Sequence, residues 1–301
     1  MISAELTTLY EAHHRGLWGM AYRMLGDAAE AEDVVHDTFA KALSRPPSTT
    51  EPLRPWLITV ALNLARDRLR ARRRLRYPGP WLPTPVGDDA ALQVPLSHNQ
   101  PEARYALMES ATLAFLTALE ALTPQQRAVL ILRDVYGFTG PEAAARLEMS
   151  PGNVKVVLHR ARKALATYDR HRCDPATLPE QTQLALGQMM AALAAGDLDG
   201  LMGLLSTDVL SLSDGGGVFS AAMRPVIGAR PVARMYLGLA QKRPVVTVDV
   251  VQVNGLPALD LRFAPAKRQA PRSLLVVQPD GTGRIVGVYS LLAPTKLPSS
   301  G

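Results

Sequence analysis

The chain has 301 residues, 47% hydrophobic and 5% aromatic, with a mean hydropathy of +0.02, a net charge of +6 and a pI near 9.6. That length calls for two or three compact units, and the scarcity of aromatics for cores of Leu, Val and Ala. A single cysteine, Cys173, excludes an internal disulfide and a thiolate metal cage. With neither a basic-then-apolar N-terminus nor a long apolar run, the expectation is a cytoplasmic protein without a membrane span.

Leu6, Leu9, Tyr10, His13, Leu17, Met20 and Met24 recur at helical spacing and predict a first helix, which Gly26 ends. Asp27 followed by Glu30 opens a second helix as a capping box. Pro55, with Trp56, Leu57, Val60, Ala61 and Leu64 behind it, predicts a third with proline in its first turn. This helix runs into Arg66, Arg68, Arg70, Arg72, Arg73, Arg74 and Arg76, seven arginines against the single Asp67. A solvated face usually mixes signs, so the run points to phosphate contacts that are salt-sensitive and independent of sequence. An RNA- or membrane-binding arm is the alternative.

From Tyr77 to about Gln100 the pattern gives way to Pro, Gly and Asp, the composition of a linker partly stiffened by proline. Trp81 and Leu82 stand out there, because a purely solvated spacer has no use for them. Helical periodicity returns near Ala106, and Thr123-Pro124-Gln125-Gln126 is a strong helix start. A short helix after Thr139, a tight turn at Glu148-Met149-Ser150 and a basic helix from Pro151 to about Thr167 predict a helix-turn-helix. Ala143, Ala144 and Leu147 would pack on Val154, Leu158 and Ala161, leaving Asn153, Lys155, Val156, His159, Arg160 and Lys163 for a major groove. The plainer alternative is an antiparallel helix pair with a cationic solvent face.

Cys173 to Pro179 reads as a second linker, followed by a helix from about Pro179 to Ala195. Strand signals appear only beyond about Leu204. Val246, Val248 and Val250 alternate with Thr247 and Asp249, Asn254-Gly255 is a hairpin turn, and Leu259, Leu261 and Phe263 alternate again. Ser273 to Val277 and Arg284 to Leu291 complete an α+β domain with a curved antiparallel sheet.

Three stretches carry a resemblance to extracytoplasmic-function (ECF) sigma factors. The first is Tyr22-Arg23-Met24-Leu25-Gly26-Asp27, leading to Ala31-Glu32-Asp33-Val34-Val35-His36-Asp37-Thr38-Phe39. The second runs from Pro55 to Arg70, and the third from Leu122-Thr123-Pro124-Gln125-Gln126-Arg127 to Arg162. Further strings resemble the sigma-J-like subgroup that carries a C-terminal SnoaL-like (NTF2-like) extension. They are Gly79-Pro80-Trp81-Leu82-Pro83-Thr84-Pro85, Ser213-Asp214-Gly215-Gly216-Gly217, Arg224-Pro225-Val226-Ile227-Gly228 and, as a partial match, Ala293-Pro294-Thr295-Lys296-Leu297.

The resemblance implies a multidomain fold: two all-α sigma domains, the second with a helix-turn-helix, then an α+β SnoaL/NTF2-like cone. The domains would be region 2 over 1–76, a linker over 77–105, region 4 over 106–170, a linker over 171–179 and a regulatory domain over 180–301. Glu32, Asp33, Val34, Asp37 and Phe39 would dock on the β′ clamp helices of core RNA polymerase, with the β flap as a further contact. Asn63, Arg66, Arg70, Arg73 and Arg74 would serve the −10 element, Asn63 near a flipped-out base. Asn153, Lys155, Val156, His159, Arg160 and Lys163 would read the −35 element. Glu148 stands where the family commonly has glycine, and Val156 and Val157 where it has polar or basic residues.

Regulatory contacts are expected at Trp81, Leu82, Asp214, Gly215, Gly216, Gly217 and Lys296. The plainer readings are a tight turn at Asp214 and a local cluster around Trp81. The C-terminal stretch holds no histidine, the commonest general acid-base. No catalytic residue, cofactor or metal is therefore expected, and the remaining candidate partner is a small-molecule ligand of that domain. The competing function is a helix-turn-helix regulator with a ligand-binding NTF2-like domain, which leaves the segments around Asp33 and Arg66 unexplained.

Overall fold

A computed structural model describes residues 2–45, 52–72, 77–87, 90–96 and 103–297; Arg73, Arg74 and Arg76 lie outside the described residues. The chain forms two units: 1–75, 89–111 and 115–167 make the first, and 76–88, 112–114 and 168–301 the second.

In the first unit, α1 (Ile2–Leu25) stops at Gly26, whose φ of +65° suits glycine. Helix α2 (Ala28–Ser44) is capped by the Asp27 carboxylate, which accepts the Glu30 N–H at 3.0 Å. Helix α3 (Leu53–Arg72) carries Pro55 in its first turn. Leu17, Met20 and Met24 of α1, Val34, Val35 and Phe39 of α2, and Leu57, Ile58, Ala61 and Leu62 of α3 are all buried. Helix α4 (Leu113–Ala118) precedes α5 (Pro124–Leu130), whose start is the full capping box of Thr123 and Gln126. A π-helical turn over Ile131–Val135 follows, then α6 (Gly140–Leu147) and α7 (Pro151–Ala164), while α8 (Ala166–Arg170) spans the point where the second unit begins.

Two buried arginines tie these helices together. The Arg23 guanidinium of α1 donates to Ser110 Oγ at 2.7 Å and to the Tyr136 hydroxyl at 3.2 Å. It also donates to the carbonyls of Gly19, Leu92 and Leu107 at 2.9, 2.6 and 2.8 Å. Arg127 of α5 donates to the Met24 carbonyl at 2.9 Å, the Leu119 carbonyl at 2.6 Å and Glu120 Oε1 at 2.7 Å. A buried guanidinium is tolerated when its N–H groups find acceptors in fixed positions, so each arginine makes neighbouring segments interdependent.

In the second unit, α9 (Leu178–Ala195), α10 (Leu198–Leu204) and α11 (Ala229–Lys242) lie with a six-stranded sheet. Its strands are β1 (Leu205–Asp214), β2 (Val226–Ile227), β3 (Val245–Val253), β4 (Leu256–Phe263), β5 (Arg272–Pro279) and β6 (Ile285–Leu291), in the order β2-β1-β6-β5-β4-β3. Four pairings are antiparallel and β1–β6 is parallel, so the sheet is mixed; the rest of the domain forms the crossover. One face packs on the helices through Val209, Leu259, Leu261, Leu275, Val277 and Val288. The other gathers Leu212, Ala258, Leu274, Val276, Tyr289 and Leu291 around Leu82 of the 77–87 segment. Val246, Val248 and Val250 are exposed, as are Thr247 and Asp249 between them, because β3 is an edge strand. Their alternation expresses strand propensity rather than burial.

Candidate functional site: acidic face, recognition helix and linker clasp

On α2, Glu32, Asp33 and Asp37 are open to solvent in part or in full. Glu32 accepts the Tyr10 hydroxyl at 3.2 Å and lies 3.0 Å from His14 Nε2. Asp33 and Asp37 both receive Arg68 of α3, at 2.9 and 2.7 Å. Val34 and Phe39 turn the other way and are buried. This corrects the expectation that they form part of a docking surface: helical spacing puts them on the core side of the same helix.

The arginine run is also divided by its surroundings. Arg68 faces the α2 carboxylates, and Arg72 donates to the Leu25 carbonyl at 2.8 Å with Glu30 and Glu120 3.8 and 3.7 Å away. Arg66 is half-buried and donates to Asn63 Oδ1 at 3.1 Å. Burial, reinforced by Arg70, lowers its pKa, while Asp67 and Glu148 oppose the shift. Arg70 is exposed and donates to Asp67 at 2.7 Å. The local excess of arginine over acid therefore overstates the free charge, since Asp33, Asp37 and Glu120 come from other helices.

In the helix-turn-helix, Ala143, Ala144 and Leu147 of α6 and Val154, Leu158 and Ala161 of α7 are buried. Glu148 takes the left-handed conformation at φ +53° where a glycine would be free of strain. Ser150 caps α7 by accepting the Asn153 N–H at 3.2 Å. Arg162 reaches the buried Asp134 with two bonds of 2.8 and 2.6 Å, which fixes the rotation of α7 on its scaffold. Asn153, Lys155, Val156, His159, Arg160 and Lys163 are all exposed as a result, and Val157 is buried.

The third constellation lies within the second unit. Asp214 ends β1 wholly buried, at the start of the tight turn that the plainer reading gives it. Its Oδ1 accepts the Tyr77 hydroxyl at 2.6 Å and the Gly216 N–H at 3.0 Å. Its Oδ2 accepts the Leu82 N–H at 2.9 Å and the Lys296 ammonium at 2.8 Å. Lys296, 8% exposed, donates also to the Leu82 carbonyl at 2.6 Å and stands 4.8 and 4.4 Å from the Tyr77 and Trp81 ring centres. Both backbone polar groups of Leu82 are thus read by one ion pair. Burial pushes the Tyr77 phenol well above its ordinary pKa, and the Asp214 carboxylate adds to the shift.

The glycines after Asp214 have separate reasons. A Cβ at Gly215 would sit 2.5 Å from the Phe219 carbonyl oxygen, and one at Gly217, whose φ is +75°, would sit 2.8 Å from Pro78 Cγ. Downstream, Asn254 donates its N–H to the Val86 carbonyl at 2.8 Å and accepts the Val86 N–H on Oδ1 at 3.1 Å. Sequence reasoning missed Tyr77 and Asn254. Tyr77 read as the start of a spacer and Asn254 as turn chemistry alone, although a tyrosine beside Trp81 was a usable signal.

Residues 9–75 match the family Sigma-70 region 2, and residues 112–165 match Sigma-70 region 4. The chain is 33% identical, over 97% of its length and 93% of the relative's, to the ECF RNA polymerase sigma factor SigJ of Mycobacterium tuberculosis strain H37Rv. It is 34% identical over 54% of its length, and 88% of the relative's, to the ECF RNA polymerase sigma factor SigL of the same strain. The crystal structure of M. tuberculosis SigJ is similar over 96% of this chain and 97% of that one, with a TM-score of 0.75 at 29% identity. With both sigma-70 regions in order and a relative alike over nearly its whole length, the chain belongs to the extracytoplasmic-function sigma factors, in the subgroup with a SnoaL-like extension, and serves promoter-specific transcription initiation.

Proposed function

We propose that core polymerase engages the carboxylates of α2, that α3 with the arginines after it works at the −10 element, and that α7 reads the −35 element. Charge and exposure on α2 support the first step, with Glu32, Asp33 and Asp37 as contacts and Val34 and Phe39 as their support from within. Asn63 and Arg66 are half-buried in the first unit, so strand opening by α3 requires them to be uncovered first. Arg70, Arg73 and Arg74 supply phosphate affinity. A helix-turn-helix regulator with an effector domain would leave the region 2 match without a use.

Exposed ion pairs contribute about 0–1 kcal/mol each. Asp33→Asn with Asp37→Asn should therefore leave the fold standing while co-purification with core polymerase falls at least roughly ten-fold. A change to arginine would instead push against Arg68 and confound binding with stability. Undiminished binding by the double Asn variant contradicts the assignment.

On α7, Asn153 can read adenine, Arg160 guanine, and Val156 can touch a thymine methyl, with Lys155, His159 and Lys163 alongside. Arg160→Ala should cost about 1–3 kcal/mol of discrimination at one base pair. Arg70→Ala should weaken binding evenly across promoters and lower the salt slope by about one. Equal, sequence-independent losses from both would show that α7 does not read bases.

We further read the C-terminal unit as a regulator acting in cis on the spacer between the sigma regions. The observation that carries this reading is the clasp of Asp214 and Lys296 on the Leu82 backbone, with Trp81 against the ammonium and Gly215, Gly216 and Gly217 shaping the turn. Covalent fusion gives such a contact an effective concentration in the millimolar range for short linkers. Sigma factors are not enzymes, and no carboxylate or histidine is among the residues lining the cavity of this unit. Trp81→Ala and Lys296→Met should shift promoter-dependent transcription by the full chain in the same direction, by at least about three-fold. Activities and polymerase affinities identical to the parent's would make the domain a passenger.

A further inference from the structure

One edge of the sheet is β3. It pairs with β4 on one side only, so its other side carries unpaired backbone N–H and C=O groups, open to a further strand. Native edges are usually blunted by proline, lysine or a covering loop. Residues 246–250 have none of these: all five are exposed, with Val246, Val248 and Val250 at 66%, 44% and 57%. The one irregularity, a register shift between Val245 and Thr247, is confined to the start of the strand.

Side chains alternate between the two faces of the strand. Val248 and Val250 stand opposite Leu261 and Leu259 on the face that carries the helices, whereas Thr247 and Asp249 stand opposite Arg262 and Asp260 on the other. On this second face like charges are neighbours twice over: Asp249 beside Asp260, and Arg262 beside Arg272. Arg272 turns to Asp260 at 2.9 Å. Asp249 and Arg262 are left exposed, without an ion pair among the described residues. Like charges directly opposite each other are destabilising, so a strand added at this edge is selected by charge. It must bring cations towards Asp249 and anions towards Arg262.

Reversed, β3 itself meets that demand. Antiparallel pairing about a two-fold axis keeps each face continuous only when the axis passes through a residue, because the side-chain period is two. An axis through Asp249 would set two carboxylates against each other, and one through Thr247 would set each against Val245. An axis through Val248 places Val248 on its own copy, Val246 on Val250, and Thr247 on Asp249. The charged row across the joined sheets then reads Arg272, Arg262 and Thr247, followed by Asp249 and Asp260 of the second copy. Symmetry repeats that row on the other side of the axis.

We propose that β3 is a dimerisation edge, at which two copies of this chain join antiparallel about Val248 into one continuous sheet. Backbone hydrogen bonds give the contact its affinity, the valines close its helix-side face, and the row of Arg262 and Asp249 fixes register and selects a second copy. A ladder of this length buries less than the about 1,200 Å² of a standard interface, so the dimer is reversible. The proposal is independent of the regulatory reading and of the polymerase contacts.

Sedimentation of the full chain from about 1 to 500 μM should show a reversible monomer–dimer equilibrium. Val248→Lys, which sets two ammonium groups on the axis, should weaken it at least roughly ten-fold, with the fold checked by thermal melting. Asp249→Arg and Arg262→Asp should each weaken self-association at least about five-fold, while an equimolar mixture of the two should associate as well as the parent. Restored association in the mixture also shows that neither variant is misfolded. Val248→Cys should cross-link under mild oxidation at least about ten-fold faster than Val250→Cys, since only residue 248 meets its own copy and Cys173 is buried. A parent that stays monomeric over the whole range overturns the proposal, including the case in which the edge receives an extended strand of another protein instead. So does a Val248→Lys variant that dimerises like the parent, a mixture that associates no better than its components, or equal cross-linking at 248 and 250.

Discussion

Asp214 is stripped of water at the end of β1, and four donors converge on it: the Tyr77 hydroxyl, the Leu82 and Gly216 N–H groups and the Lys296 ammonium. Desolvating a carboxylate and an ammonium costs several kcal/mol per ion, and breaking such a pair from one side costs about 3–5 kcal/mol. A pair of this kind contributes less to net stability than to position. The Lys296 ammonium bonds the Leu82 carbonyl while the Asp214 carboxylate takes the Leu82 N–H, so a slip of the segment would break both bonds that its backbone makes to the ion pair. Leu82 then places its side chain on the sheet face opposite the helices, among Leu212, Leu274 and Leu291. The spacer between the sigma regions is thereby held as part of the C-terminal unit over residues 77–87.

The first unit uses the same physics with arginine. Arg23 and Arg127 direct their guanidinium groups at carbonyls and hydroxyls of segments distant in sequence, and Arg162 locks α7 through the buried Asp134. Asn153, Lys155, Val156, His159, Arg160 and Lys163 of α7 are left exposed while Arg162 is paired with Asp134. On α3, by contrast, Arg68 and Arg72 are occupied by carboxylates, which leaves Arg70 as the exposed member of the run among its described residues.

Local signals were the legible ones. Capping at Asp27, Thr123 and Thr139, the stop at Gly26, the turn at Asn254-Gly255 and the amphipathic spacing of α6 and α7 are set by neighbours within four residues, so the sequence displays them directly. Helix α11 is absent from the sequence-based expectations although Val232, Ala233, Tyr236 and Leu237 have helical spacing. What the sequence hid was pairing at long range. Nothing near Arg68 announces Asp33 and Asp37, and nothing near Asp214 announces Lys296, 82 residues later. Trp81 and Leu82 betrayed a docking element by being apolar in a polar stretch, but the burial of Asp214 depends on partners from both ends of the chain. Val34 and Phe39 show the converse: they belong to the matched motif, but helical spacing buries them on the core side of α2.

The clasp of Asp214 and Lys296 should hold the spacer in solution as well. Hydrogen exchange at the amides of Leu82 and Val86 reads this directly, since their N–H groups are bound by Asp214 and Asn254. In the full chain both amides should be strongly protected. In Lys296→Met, a loss of about 3–5 kcal/mol should speed exchange at Leu82 by about two to four orders of magnitude. Exchange in the parent as fast as in an unstructured linker, or protection at Leu82 that survives Lys296→Met, would contradict the account.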